Sequence, residues 1–355
     1  MEAQPDQHAW WQRGVVYQIY PRSFQDSNGD GIGDLAGIVE RLDHLAWLGV
    51  DALWLSPIFA SPMEDGGYDV SDYTAVDPMF GTVADAETLI AEAHRRDLRV
   101  IFDFVPNHTS HRHPWFVESR GGRDSARRDW YLWRQAAADG GPPNNWRSVT
   151  AIDQPGSAWV LDDATGDYYL GTFSSAQPDL NWANPDVRAA MADALRFWLD
   201  RGVDGFRIDM VGFLGKDQQF RDEPAPPAAA DDYIYLRDGR HHVNQPETLA
   251  YLRELRSVVD AYPDRVLIGE MTYYAPTASL VSFVADAGID LPTNFSLITT
   301  PFEPDRIAEH LDEYDAAVLA GGAWPNYCVG NHDMPRVSGH GPQRGRLALL
   351  LLLTL

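Results

Sequence analysis

Four acidic side chains stand at the ends of short apolar runs. They are Asp103 in RVIFDFVPNH (99–108), Asp209 in GFRID (205–209), Glu270 in VLIGE (266–270) and Asp333 in NYCVGNHD (326–333). Asn107, His108, Arg207 and His332 accompany them. Carboxylates gathered at one place can divide nucleophilic from acid–base work when their surroundings push their protonation apart. Arg207 and Asp209 lie two residues apart, so on a strand both face one side. The guanidinium is then expected to keep Asp209 ionised and oriented, as a nucleophile requires. Glu270 follows apolar residues and lies near other acids, which favours holding a proton to donate. Any one of these residues alone reads as a helix cap or a structural ion pair. Their recurrence at one position of successive units is what points to a site.

Those units alternate strand with helix. Apolar runs at 15–21, 52–57, 99–108, 205–209, 266–270, 289–295 and 326–333 are of strand length. Helical patterns at 35–49, 84–97, 185–202, 246–263 and 304–322 lie between them. The alternation predicts a parallel sheet covered by helices. Without a glycine-rich dinucleotide fingerprint it favours an α/β fold of the (β/α)8 TIM-barrel type, whose chemistry lies at the C-terminal strand ends. Residues 107–180, rich in Gly, Pro, Trp and Asp, are too long for a plain loop and read as a small domain inserted after strand 3. The barrel is then assigned to 1–106 and 181–355. Residues 213–245, which contain EPAPPAAADD, read as a flexible excursion after the fourth strand.

Composition narrows the partners. The 355 residues are 45% apolar and 23% charged, as in a folded globular protein. A net charge of −24 disfavours nucleic acid and anionic membrane surfaces. The 12 Trp, 15 Tyr and 14 Phe are plentiful; most read as core, and the rest could line a site that stacks flat neutral ligands. A single cysteine, Cys328, excludes an internal disulfide and favours a reducing, cytoplasmic compartment. No basic start followed by an apolar stretch marks a signal peptide at the N-terminus. LALLLLLTL (347–355) is too short to span a bilayer and is expected as a buried helix end. A chain stopping inside its most apolar run suggests truncation. Oligomeric state is not readable.

At the strand ends the chain resembles the α-amylase superfamily, glycoside hydrolase family 13. DFVPNH (103–108), GFRID (205–209), VLIGE (266–270) and VGNHD (329–333) match its signature regions in order. GVVYQIYPRSF (14–24), GYDVSDY (67–73) and QPDLN (177–181) match further motifs, the last as in the α-glucosidase and oligo-1,6-glucosidase branch. The resemblance implies Asp209 as nucleophile, Glu270 as general acid/base and Asp333 as the acid that stabilises the transition state. It implies Asp69, His108, Arg207 and His332 as holders of the glucose ring, with Tyr68 stacked beneath it. Phe173 could wall the sugar site or pack in the core. Arg336 could bind sugar hydroxyls or form a surface ion pair. The resemblance also implies a complete barrel with an eighth strand and a C-terminal β-sandwich beyond residue 355. Its activity would be retaining release of glucose from short α-glucosides such as maltose and maltooligosaccharides. An oligo-1,6-glucosidase, or a sucrose- or trehalose-type glucosyltransferase or isomerase of the same site, is the alternative, and a non-catalytic transporter-associated relative a more distant one. In this branch a Val after the nucleophile goes with α-1,6 bonds, so Met210 favours α-1,4 substrates.

DSNGDGIGD (26–34) offers Asp26, Asn28, Asp30 and Asp34 at every second residue, with the Ile32 carbonyl among them. Such hard oxygen donors suit Ca²⁺, or Mg²⁺, although position twelve of an EF-hand loop would be Gly37 rather than Glu. An Asp/Asn/Gly turn that binds nothing is the other reading, and in the resembling branch the string holds structural calcium. HRH (111–113) is expected as an exposed loop, not a metal pair.

Overall fold

The computed structural model describes residues 8–149, 156–224, 240–272, 276–334 and 336–355. Strands β1 (Val16–Ile19) and β2 (Ala52–Leu55) open the sheet. A small antiparallel hairpin of β3 (Phe59–Ala60) and β4 (Asp72–Val76) follows them. β5 (Arg99–Phe104) is the third barrel strand. β6 (Trp133–Gln135), β7 (Trp159–Asp162) and β8 (Asp167–Leu170) form a separate antiparallel sheet in the order β6-β8-β7. β9 (Gly205–Ile208), β10 (Val266–Gly269) and β11 (Leu291–Pro292) complete the barrel run. The large sheet is parallel throughout, in the order β1-β2-β5-β9-β10-β11.

The helices Leu35–Leu48, Val83–His94, Pro185–Leu199, Pro246–Val259, Thr277–Ala287 and Pro304–Ala320 alternate with these strands. Their starts are chemically specified. Asp34 accepts a hydrogen bond from the Gly37 amide, Thr82 and Asp85 form a reciprocal capping box, and Asn184 caps a helix whose first residue is Pro185. In Pro185–Leu199 the buried Val187, Met191, Ala194, Leu195 and Trp198 recur at three and four residues, so one stripe faces the sheet. Inside the sheet Ala52, Ile101 and Val266 pack together with Val16, Trp54 and Ile268. Gly205 permits this closeness: a Cβ there would stand 2.2 Å from the Val266 carbonyl oxygen.

Three expectations change. Residues 326–333 form no strand. Asn326 instead accepts from the Asn294 amide and donates to the Pro292 carbonyl, so a side chain occupies the edge of the two-residue β11 where ladder bonds were expected. The C-terminal run lies in helix Pro342–Leu352, but it is not a buried end. Its small residues Gly345 and Ala348 are buried, while Leu347, Leu349, Leu350 and Leu353 stay half or more exposed. The described part of the excursion after β9 is packed on the insertion at several residues, although others of it are exposed. Trp146 of the insertion stacks on Phe220 and His242, and Asn145 exchanges hydrogen bonds with Asp222 and Glu223. Much of EPAPPAAADD lies outside the described residues.

The insertion begins and ends on adjacent backbone. His108 bridges Asp179, and Tyr131 bridges Leu180. Its sheet packs on the aromatic cluster of Phe116, Tyr131, Trp133 and Tyr169.

Candidate active site

The parallel register sets the site. Asp103 on β5 is aligned with Arg207 on β9, and Arg207 with Ile268 on β10. The side chain of Arg207, 3% exposed, therefore lies among acids from three strands. One terminal nitrogen is 2.9 Å from Asp103 Oδ1 and 2.6 Å from Asp209 Oδ1; the other is 2.6 Å from Glu270 Oε2. The guanidinium also lies over the rings of Trp54 and Tyr68. Trp54 Nε1 and the Tyr68 hydroxyl both donate to Asp103 Oδ2 at 3.1 Å.

Protonation follows from this sharing. Burial pushes Asp209 up to about 7 despite the pull of Arg207, and repulsion from Glu270 adds to the rise. Burial likewise pushes Asp103 up to about 7. Burial raises Glu270, while Arg207 and a hydrogen bond with Asp209 act the other way. The expectation that Arg207 keeps Asp209 ionised is thus corrected. One cation serves three buried carboxylates, so it orients Asp209 without securing its charge.

His332 closes the ring of contacts. Its Nε2 is 2.8 Å from the Tyr68 hydroxyl and its Nδ1 is 2.9 Å from Gln18 Nε2 on β1. The Tyr68 and His332 rings lie 5° from parallel. The segment after β11 thereby reaches the opposite edge of the sheet. Asp333 lies beside it, 3.3 Å from His332 and about half exposed, unlike the buried trio, and its charge helps to raise Glu270. Burial pushes His332 down, Asp333 pulls it up, and Arg207 and the exposed Arg336 push it further down.

Asp69 is fully buried and serves its own loop. It accepts from Ser61 Oγ and from the Glu64 and Asp65 amides. His108 is buried between Asn107 Nδ2 and Gln177 Nε2. Phe173 is buried and packs against His108 and Phe213, as its core reading expects. HRH is not simply an exposed loop. His113 is buried and its Nδ1 accepts from the Trp115 amide at the start of helix Pro114–Arg120.

Sequence reasoning missed two residues. Lys216, 2% exposed, donates to Asp179 Oδ2 at 2.9 Å and to Asn107 Oδ1 at 3.1 Å. Gln177 joins His108 to Asp65. A lysine inside GFLGKD carries no periodic signal; only its burial marks it.

In the 26–34 loop Asp26 accepts from the Asn28, Gly29 and Gly31 amides, and Asp30 from the Ile32 amide. Asp34 accepts from the Gly37 amide and from Ser27. Gly37 has no room for the EF-hand glutamate: a Cβ would lie 2.1 Å from the Gln25 carbonyl oxygen. Among the described residues no three His, Cys, Asp or Glu side chains are grouped as a metal site, so a cation here would lean on Asn28 and carbonyl oxygens. No helix among them is long and apolar enough to cross a membrane.

Known proteins resemble this chain over most of its length. The family model described as "Alpha amylase, catalytic domain" matches residues 18–352. A probable alpha-glucosidase of Rhizobium meliloti is 44% identical over 98% of the chain. An oligo-1,6-glucosidase of Halalkalibacterium halodurans is 42% identical over 92%. The solved structure of the alpha-glucosyl transfer enzyme XgtA superposes with a TM-score of 0.88 at 43% identity over 96% of the chain. The chain spans 66%, 59% and 64% of these relatives' own lengths.

Proposed function

The chain belongs to the α-amylase family, and on that premise we propose that the protein is a retaining glycoside hydrolase that releases glucose from the non-reducing end of short α-glucosides. The observation that carries this reading is the pairing of Asp209 and Glu270 on Arg207, 2.6 Å from each. Two carboxyls that share one guanidinium and a hydrogen bond fit the close spacing of retaining enzymes. An inverting enzyme keeps a gap of about 6.5–9.5 Å for water. Asp209 would attack the anomeric carbon while Glu270 protonates the departing oxygen; Glu270 would then take a proton from water as the glycosyl–Asp209 bond breaks. Asp333 would stabilise the positive charge of the transition state. Tyr68, Asp69, His108, Arg207 and His332 would hold the ring, with Phe173 and Arg336 at its margins. The raised Asp209 is consistent with a site whose charge balance changes when substrate arrives.

Transfer of the glucosyl group to a second sugar is a further reading, favoured by the likeness to the alpha-glucosyl transfer enzyme. Glucose release from maltose and isomaltose, with product analysis at high sugar, tests both readings. Hydrolysis of maltose, abolished in Asp209→Asn, is the expected result and fits Met210. Faster release from isomaltose would overturn the α-1,4 preference, dominant oligosaccharide products would favour transfer, and no turnover of either sugar would sink the hydrolase reading.

We propose in addition that Asp26, Asn28, Asp30, Asp34 and the Ile32 carbonyl hold a structural Ca²⁺, with Mg²⁺ as the alternative ion. The donor set, all oxygen, is that of a hard cation. Calcium is expected to raise the melting temperature of the wild type and not of Asp30→Ala; an equal response in both excludes this loop.

A further inference from the structure

Met210, directly after Asp209, has φ 42° and ψ 53°, a left-handed conformation that non-glycine residues rarely adopt. In a strand, successive amides point to opposite sides. Here the left-handed turn brings two successive amides to one residue. The Met210 N–H donates to Glu270 Oε2 at 3.1 Å, and the Val211 N–H donates to the Glu270 carbonyl at 3.1 Å. Glu270 N–H in turn donates to the Ile208 carbonyl. The conformation is held from outside the barrel. The Met210 side chain packs against Phe173 of the insertion and against Phe213 and Val243 of the excursion. The Asn244 amide, donating to the Gly212 carbonyl, ties the same turn down.

We propose that Met210 is a positioning residue for Glu270, acting through its backbone N–H, which the left-handed turn aims at Oε2. This rests on the reading of Glu270 as general acid/base. Oε2 already receives Arg207 at 2.6 Å. With the Met210 N–H it has two donors, which leaves Oε1 to carry the proton for the departing sugar oxygen. Backbone strain beside reacting groups is where pre-organisation is commonly stored. The role differs from a sugar contact by the thioether, because it survives any side chain that keeps the turn.

The test replaces Met210 in the complete protein by its α-hydroxy acid, exchanging the N–H for an ester oxygen. α-Glucosyl fluoride, whose leaving group departs without a proton, is compared with maltose, whose leaving group needs one. The ester variant is expected to lose about tenfold or more in kcat/KM on maltose, while glucosyl fluoride changes by less than about threefold. Met210→Gly keeps the N–H and is expected to retain the wild-type ratio between the two substrates. An equal loss on both substrates, or no loss on maltose, overturns the proposal. Failure of the wild type on both substrates instead overturns the glycosidase reading beneath it.

A second measurement needs no folded ester variant. In wild-type protein labelled with ¹⁵N-methionine, the Met210 amide resonance, assigned by its loss in Met210→Leu, should move with pH as Glu270 titrates. Asp209, the preceding residue, also titrates and moves this amide, so the part of the movement due to Glu270 is the part that Glu270→Gln removes. A Met210 resonance that moves equally in wild type and Glu270→Gln sinks the proposal.

Discussion

Arg207 is the residue on which the site turns, and it is over-subscribed. Asp103, Asp209 and Glu270 all use it, at 2.9, 2.6 and 2.6 Å. A free carboxylate beside one arginine would be held well below its ordinary range. Three buried ones cannot all be, because each repels the others as the guanidinium attracts them. The outcome is two aspartates near 7 and a raised Glu270. For a retaining glycosidase this is a workable resting state. Under the proposed mechanism a proton shared among the acids would be available to Glu270, and Asp209 would become the anion once that proton is placed for transfer. Burial lowers His332, which favours its neutral ring in the contacts with Tyr68 and Gln18.

At the scale of elements, the insertion and the excursion after β9 are pinned to the barrel by Lys216. Its ammonium joins Asp179, at the insertion's exit, to Asn107, at its entry, and both flank His108. Burial pushes Lys216 down, and Asp179 pulls it back. Lys216→Met should therefore cost about 3–5 kcal/mol, chiefly because Asp179 is left buried and uncompensated. Thermal unfolding is the check, and adding Asp179→Asn should recover part of the loss. A single-variant change under about 1 kcal/mol would show the clamp to be dispensable. The strand–helix units were legible in sequence because β-branched runs and three-to-four spacing report burial locally. So were Asp209 and Glu270, whose place at a strand end follows from the run before them. Lys216 and Gln177 were not, since the side chains they hydrogen-bond lie 37 residues or more away and only the closed neck brings them together. The strand expected at 326–333 failed for a related reason. NYCVGNHD has strand composition, but pairing depends on a neighbour, and Asn326 occupies β11 with its side chain instead.

At the scale of the whole molecule, stability should peak in mildly acidic solution, and the sign follows from the groups themselves. Asp103 and Asp209 have folded-state values near 7, above the ordinary 3.8. The fold therefore prefers their protonated forms. That contribution is complete below about pH 4 and is lost as pH rises through about 7. Glu223 behaves oppositely. Burial raises it, but the His242 ring and the Arg240 and His241 amides outweigh burial and bring it to about 2. Its stabilisation is present above the ordinary glutamate range and is lost as pH falls toward 2. Burial also acts to raise Asp204, yet His94, the Val100 amide and Arg99 hold it below its usual value, so it adds to the acid-side loss. Between these limits, around pH 4–6, both sets contribute. From pH 5 to pH 8 the wild type should lose about 1–3 kcal/mol. Asp209→Asn removes one of the two groups responsible. Its melting temperature should exceed that of the wild type at pH 8, with the gap closing by pH 5. The net charge of −24 also works against the fold as pH rises, but that repulsion lies largely on the surface and is screened by salt. The comparison is therefore made in about 0.5 M NaCl, where the buried trio still acts. If the gap between variant and wild type is the same at both pH values, the acids around Arg207 do not titrate as their burial requires.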